Sequence, residues 1–192
     1  MMEPINGWNE LEEAGSFEKI ELGGHICVIV GARTEVSKSG NKMLVIAYDF
    51  APEDKQPGYY DAMLAVDRKK DPNAKWRGTY YQGYGTEQSN PYFKAFINRI
   101  LESNPGYVWS WDEGSLKGKK FCGVFGREEY LNDKGESKFS TKCMYVRAIS
   151  EIDNVTIPED KLLKKTSAPS GGFTPQQAYA SHLDIRDDDL PF

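Results

Sequence analysis

Asn90-Pro91-Tyr92-Phe93-Lys94-Ala95-Phe96-Ile97-Asn98-Arg99-Ile100-Leu101 reads as an amphipathic helix, and its place in the chain decides the fold class. Asn90-Pro91 is a helix start with proline at the first helical position, where a missing N–H costs nothing. Phe93, Phe96, Ile97, Ile100 and Leu101 then recur at helical spacing, and Asn104-Pro105-Gly106 ends the run. On both sides of this stretch the pattern is that of strands.

Upstream, His25 to Val36 predicts a first strand and Met43 to Phe50 a second. Between them Ser37-Lys38-Ser39-Gly40-Asn41-Lys42 has the glycine and asparagine that a tight hairpin turn requires. Pro52 to Pro57 is a polar loop, and Gly58 to Val66, rich in aromatic and aliphatic residues, predicts a third strand. Asp67 to Asn90 has no clean period and carries Gly78, Gly83 and Gly85, so it reads as a long loop. Downstream of the helix, Trp109 and Trp111 predict a short extended piece and Gly114 to Gly118 a loop. Strands Lys119 to Leu131 and Lys138 to Ile149 follow, joined by the hairpin signal Asn132-Asp133-Lys134-Gly135.

Three strands, a helix and a two-stranded hairpin is the element order of the oligonucleotide/oligosaccharide-binding (OB) barrel. The expected fold is therefore mainly β: a five-stranded OB barrel with one helix between strands 3 and 4 and a long loop after strand 3. The expected organisation is an acidic N-terminal segment (1–21), the barrel domain (22–157), a flexible linker (158–183) and an acidic tip (184–192). The linker reading rests on Ser167-Ala168-Pro169-Ser170-Gly171-Gly172.

Charge is distributed unevenly. The net charge of −5 divides into six acids and one base in residues 1–21, four acids and one base in 166–192, and 22 bases against 19 acids between them. A mildly basic body thus sits between two acidic ends, which suits a phosphate-binding surface without requiring one. No run approaches the roughly 18 apolar residues of a membrane span, and Met1 to Glu21 lacks the basic start and apolar stretch of a secretory signal. A cytoplasmic protein is expected. Cys27, Cys122 and Cys143 are far apart and form no C-x-x-C pair, so they read as reduced, buried thiols. With only His25 and His182 available, neither a cysteine–histidine catalytic pair nor a zinc site is indicated, and no metal or cofactor is expected.

Two groups of residues carry the binding expectation. In Arg68-Lys69-Lys70, Lys75-Trp76-Arg77, Tyr80-Tyr81 and Tyr84, cations alternate with aromatics. Sequence-independent capture of a single strand needs both, cations to follow phosphates and ring faces on which bases stack. The second group is Arg33, Lys38 and Lys42 around the first hairpin, with Lys119 before strand 4 and Lys134 in the last hairpin. In an OB barrel these hairpins flank the binding face. Tyr48 on strand 2 is a further candidate stacking platform, although its alternation also fits the core.

Asp187-Asp188-Asp189-Leu190-Pro191-Phe192 closely resembles the tip of bacterial single-stranded DNA-binding proteins, with leucine where isoleucine is more usual. The body, Gly24 to Ile149, is more similar to a phage-encoded family of replication-associated single-stranded DNA-binding proteins. The chemistry of the tip is intelligible on its own terms. Phe192 offers a ring for an apolar pocket, its carboxylate can accept a bidentate arginine, and the aspartates attract a basic rim. The resemblance implies a protein that coats single-stranded DNA in replication, recombination or repair and recruits enzymes through this tip; a homo-oligomer is compatible with it. The competing expectations are an adaptor whose barrel binds protein and a metal-dependent nuclease. For the latter, paired carboxylates such as Glu128-Glu129 and Glu53-Asp54 fall in charged surface or loop contexts, and nothing sets them across a cleft.

Overall fold

The computed structural model describes residues 18–163. Its elements are β1 (Gly23–Val36), β2 (Lys42–Phe50), α1 (Tyr59–Lys70), β3 (Thr79–Tyr84), α2 (Asn90–Ser103), β4 (Lys120–Leu131) and β5 (Ser137–Arg147). Short 3-10 helices at Glu113–Leu116 and Ile149–Asn154 precede and follow the last hairpin. All strand pairings are antiparallel, in one five-stranded sheet of order β3-β2-β1-β4-β5. The edges are β3 and β5, and among the described residues no pairing joins them.

Strand β1 organises the sheet because it pairs with β2 along most of its length and with β4 over Gly23–Val28. A bulge between Ile29 and Gly31 lets it do both. Before the bulge Cys27 and Ile29 point into the core; after it the even-numbered Ala32 does, so the strand bends and exchanges its faces there. In β2 every residue after Lys42 is buried. Leu44, Ile46, Tyr48 and Phe50 join Phe121 and Phe125 of β4 and Phe93, Phe96, Ile97 and Ile100 of α2 in one cluster. Helix α2 touches β3, β4 and β5, so it closes one end of this core between the two sheet edges.

Both hairpins follow their sequence signals. Gly40 has φ of +83° and Gly135 +74°, conformations that an L side chain rarely adopts. Ser37 and Asn41 close the first turn by a backbone hydrogen bond of 2.8 Å. In the second, the Asn132 carboxamide oxygen accepts from the N–H groups of Lys134 and Glu136.

The segment between β2 and α2 differs from expectation. Gly58 to Val66 is not a strand; α1 occupies it and continues through Arg68, Lys69 and Lys70. The cause is a cap from outside the segment. The Asp49 carboxylate of β2 accepts the N–H groups of Tyr60 at 2.8 Å and Asp61 at 3.1 Å, satisfying donors at the helix start. Ala62, Met63, Leu64 and Ala65 are then good helix formers, and the three terminal cations complement the helix dipole. Correspondingly, Asp67 to Asn90 is not a long loop, because β3 lies within it and pairs with β2 from Ala47↔Thr79 to Lys42↔Tyr84. Gly78 makes this possible. A Cβ there would lie 2.2 Å from the Tyr48 carbonyl oxygen and 2.8 Å from the Tyr60 ring. Trp109 and Trp111 lie in irregular backbone and not in an extended element. Among the described residues no helix is long and apolar enough to cross a membrane.

Order along the chain continues past the 3-10 helix. Lys161 forms a parallel bridge with Glu128, donating its N–H to Arg127 O and accepting from Glu129 N–H, both at 2.9 Å. Asp160 pairs with Arg127, and Lys161 with Glu128. Residues 160–163 therefore form a strap along the outer part of β4. The tip Asp187–Phe192 lies outside the described residues.

Candidate nucleic-acid interface

The sheet gathers part of the expected set on one face. Arg33, Val45 and Tyr81 stand in register across β1, β2 and β3 and point away from the core cluster. Tyr81 is 37% exposed. The Arg33 side chain is only 20% exposed; its Nε donates to Glu35 Oε1 at 2.5 Å. Its Nη1 is buried and has no hydrogen-bond partner among the described residues. At the end of the same strands the first hairpin presents Lys38 and Lys42, both exposed, and Lys134 is exposed at the tip of the second hairpin.

The cations expected from the loop lie elsewhere. Arg68, Lys69 and Lys70 are exposed on the last turn of α1. Lys70, Lys75 and Arg77 line a depression of about 420 Å³ together with Asp67, Asp71 and Asn73. Arg77 pairs with Asp67 at 2.7 Å, which moderates the positive charge there. This cluster adjoins the Thr79 end of β3, whereas the hairpin cations adjoin its Tyr84 end.

Several aromatic candidates are structural instead. Tyr48 is 2% exposed and meets Tyr60, Phe121 and Phe125 edge to face. It cannot receive a base, and burial pushes its hydroxyl well above the usual tyrosine range. Trp76 is 7% exposed, with its indole N–H donating to the carbonyls of Tyr48 and Gly78. It locks α1 and the start of β3 onto β2. Tyr80 stacks on Phe96 at 5.9 Å, and burial likewise raises its pKa. Tyr84 lies against Phe93 at 5.3 Å and remains half-buried. Lys119 is half-buried with its ammonium 4.7 Å above the Tyr107 ring.

An aromatic cluster that the periodicity did not single out surrounds Phe93. Trp109 and Trp111 lie 6.5 and 6.2 Å from its ring and 6.1 Å from each other. Trp-Ser-Trp in a polar segment outside any periodic element was the available signal.

The remaining reactive groups belong to the scaffold. His25 is buried, with Nδ1 2.9 Å from Asp54 Oδ1 and Nε2 2.9 Å from the Glu21 carbonyl, and it stacks on Phe50. Burial opposes the Asp54 charge, but hydrogen bonds from His25 and from the N–H groups of Gln56 and Ile26 outweigh it and hold the carboxyl below its usual pKa. Burial pushes the thiols of Cys27 and Cys143 upward and that of Cys122 to about 11, so they are poor nucleophiles. No family model matches the sequence, and no curated protein matches it either.

Proposed function

We propose that this chain binds single-stranded DNA without strong sequence preference, on an OB barrel, during replication or recombination. The observation that carries the reading is the strand order β3-β2-β1-β4-β5. It is the order of an OB barrel opened between β3 and β5, and α2 lies between those two edges as the helix of that fold does. The outward side of β1 and β3 around Arg33 and Tyr81, flanked by the two hairpins, then corresponds to the binding face, with the β2 residues between them buried beneath it. Tyr81 supplies a ring there, and Arg33, Lys38, Lys42 and Lys134 supply charge for phosphates. In this proposal the protein is not an enzyme and acts in the cytoplasm of a bacterial host, and Asp187–Phe192 recruits replication, recombination or repair proteins.

The hairpin cations test the reading. Replacing Lys38 and Lys42 together by glutamate should weaken binding to oligo-dT and flatten its salt dependence by about 0.7 in log–log slope for each phosphate that is no longer neutralised. An unchanged affinity and slope would remove the first hairpin from the interface and count against the barrel face as the binding surface.

A further inference from the structure

Trp111 is the only non-glycine residue with positive φ among the described residues, at +64°. A bulky side chain is rare there, and holding it strains the backbone. The ring gains little burial in return, since it is 77% exposed. Strain combined with exposure of the largest apolar side chain calls for a ligand, because neither stabilises the fold.

The ring is held in a defined position. It pairs with the Phe93 ring, 6.2 Å between centroids at an interplanar angle of 26°, and Phe93 is itself fixed in the core by α2. Trp109 flanks it on a second side. The Trp109 indole N–H is buried and has no hydrogen-bond partner among the described residues, so a donor lies within the cluster. Two lysines are linked to the cluster through other rings. Lys42 is paired opposite Tyr84, its side chain running along Gly85, and Tyr84 lies on Phe93. Lys119 covers Tyr107, in the same connection as Trp109 and Trp111. An exposed aromatic face suits a nucleobase, and the lysines on the first hairpin and before β4 suit the phosphodiester joined to it.

We infer that Trp111, seated on Phe93 beside Trp109, is the platform on which a nucleobase of a bound single strand stacks, with Lys42 and Lys119 flanking the strand at that point. The inference rests on the single-strand reading above and extends it around the sheet edge, from the Tyr81 face to the connection between α2 and β4.

The test compares full-length wild type with Trp111→Gly and Trp111→Phe. Glycine removes the ring and accepts the positive φ without strain, so the fold is expected to persist, as a melting temperature within a few degrees of wild type will verify. Against labelled oligo-dT, W111G should lose roughly 5- to 150-fold in affinity, the range for one base stack, with an unchanged salt slope. W111F should retain most of the affinity. An abasic strand of equal length should bind wild type and W111G equally. Oligo-dT should also quench tryptophan emission in wild type and far less in W111F, which keeps the test decisive should W111G unfold. Equal oligo-dT affinity of wild type and a folded W111G, or equal quenching in wild type and W111F, overturns the platform while leaving single-strand binding intact. Failure of wild type itself to bind oligo-dT overturns both.

Discussion

Tyr48 and Tyr81 are both tyrosines on neighbouring strands, yet they make opposite predictions because they occupy opposite faces of the sheet. Tyr48→Ala empties a site packed by three rings and should destabilise the fold by about 3–5 kcal/mol, read from urea unfolding, without lowering the DNA affinity of the molecules that remain folded. Tyr81→Ala should cost less stability than Tyr48→Ala and weaken oligo-dT binding by about 1–3 kcal/mol. Asp54 gives a pH prediction. Its folded pKa lies below the ordinary 3.8, so its contribution is fully present above that value and is lost as pH falls through the lower, folded one. Acid unfolding of wild type as pH falls below the ordinary carboxylate range should therefore be steeper than that of Asp54→Asn, and equal slopes would show that Asp54 does not couple folding to protons. At this scale the sequence was least informative. Nothing local distinguishes Tyr48 from Tyr81, or an exposed Trp111 from the buried Trp76; burial is set by strand register and bulges, which depend on partners far along the chain.

Elements whose signals are local were legible, and those with remote determinants were not. Helix α2 starts at a proline and ends at Asn-Pro-Gly, and both hairpins turn on glycines that the backbone requires, so each could be placed from its own residues. Helix α1 could not, because its cap is Asp49 on the preceding strand. Its aromatic, aliphatic beginning therefore resembled a strand. Strand β3 was hidden by Gly78, which looked like a loop residue but serves close approach to Tyr48 and Tyr60. Asp49→Ala should accordingly cost about 1–2 kcal/mol and act on α1 first, seen as faster amide exchange at its N-terminal turn while α2 stays protected. The strap at residues 160–163 makes a matching prediction. Ending the chain at Ile157 removes the hydrogen bonds of Lys161 with Arg127 and Glu129, so exchange should quicken in the outer halves of β4 and β5 and not in β1 or β2.

Across the whole molecule the charge is arranged by position, with acidic ends on a mildly basic body. An acidic tip can compete with phosphates for the same cations. Deleting Asp184 to Phe192 should therefore raise affinity for single strands at low salt, an effect that fades as salt screens it; unchanged affinity would remove the tip from that competition. A mainly β fold with a helix before the last hairpin was readable in advance, although the third strand was placed where α1 lies, while the gap between β3 and β5 and the Trp109–Trp111 cluster emerge only from the packing of α2. Single-strand binding by the body is tested most directly by anisotropy titration of labelled oligo-dT, matched duplex and single-stranded RNA at several salt concentrations, comparing the full chain with one ending at Lys165. Tight, salt-dependent binding of oligo-dT over duplex is expected from both chains. Absence of any preference for single strands would contradict it.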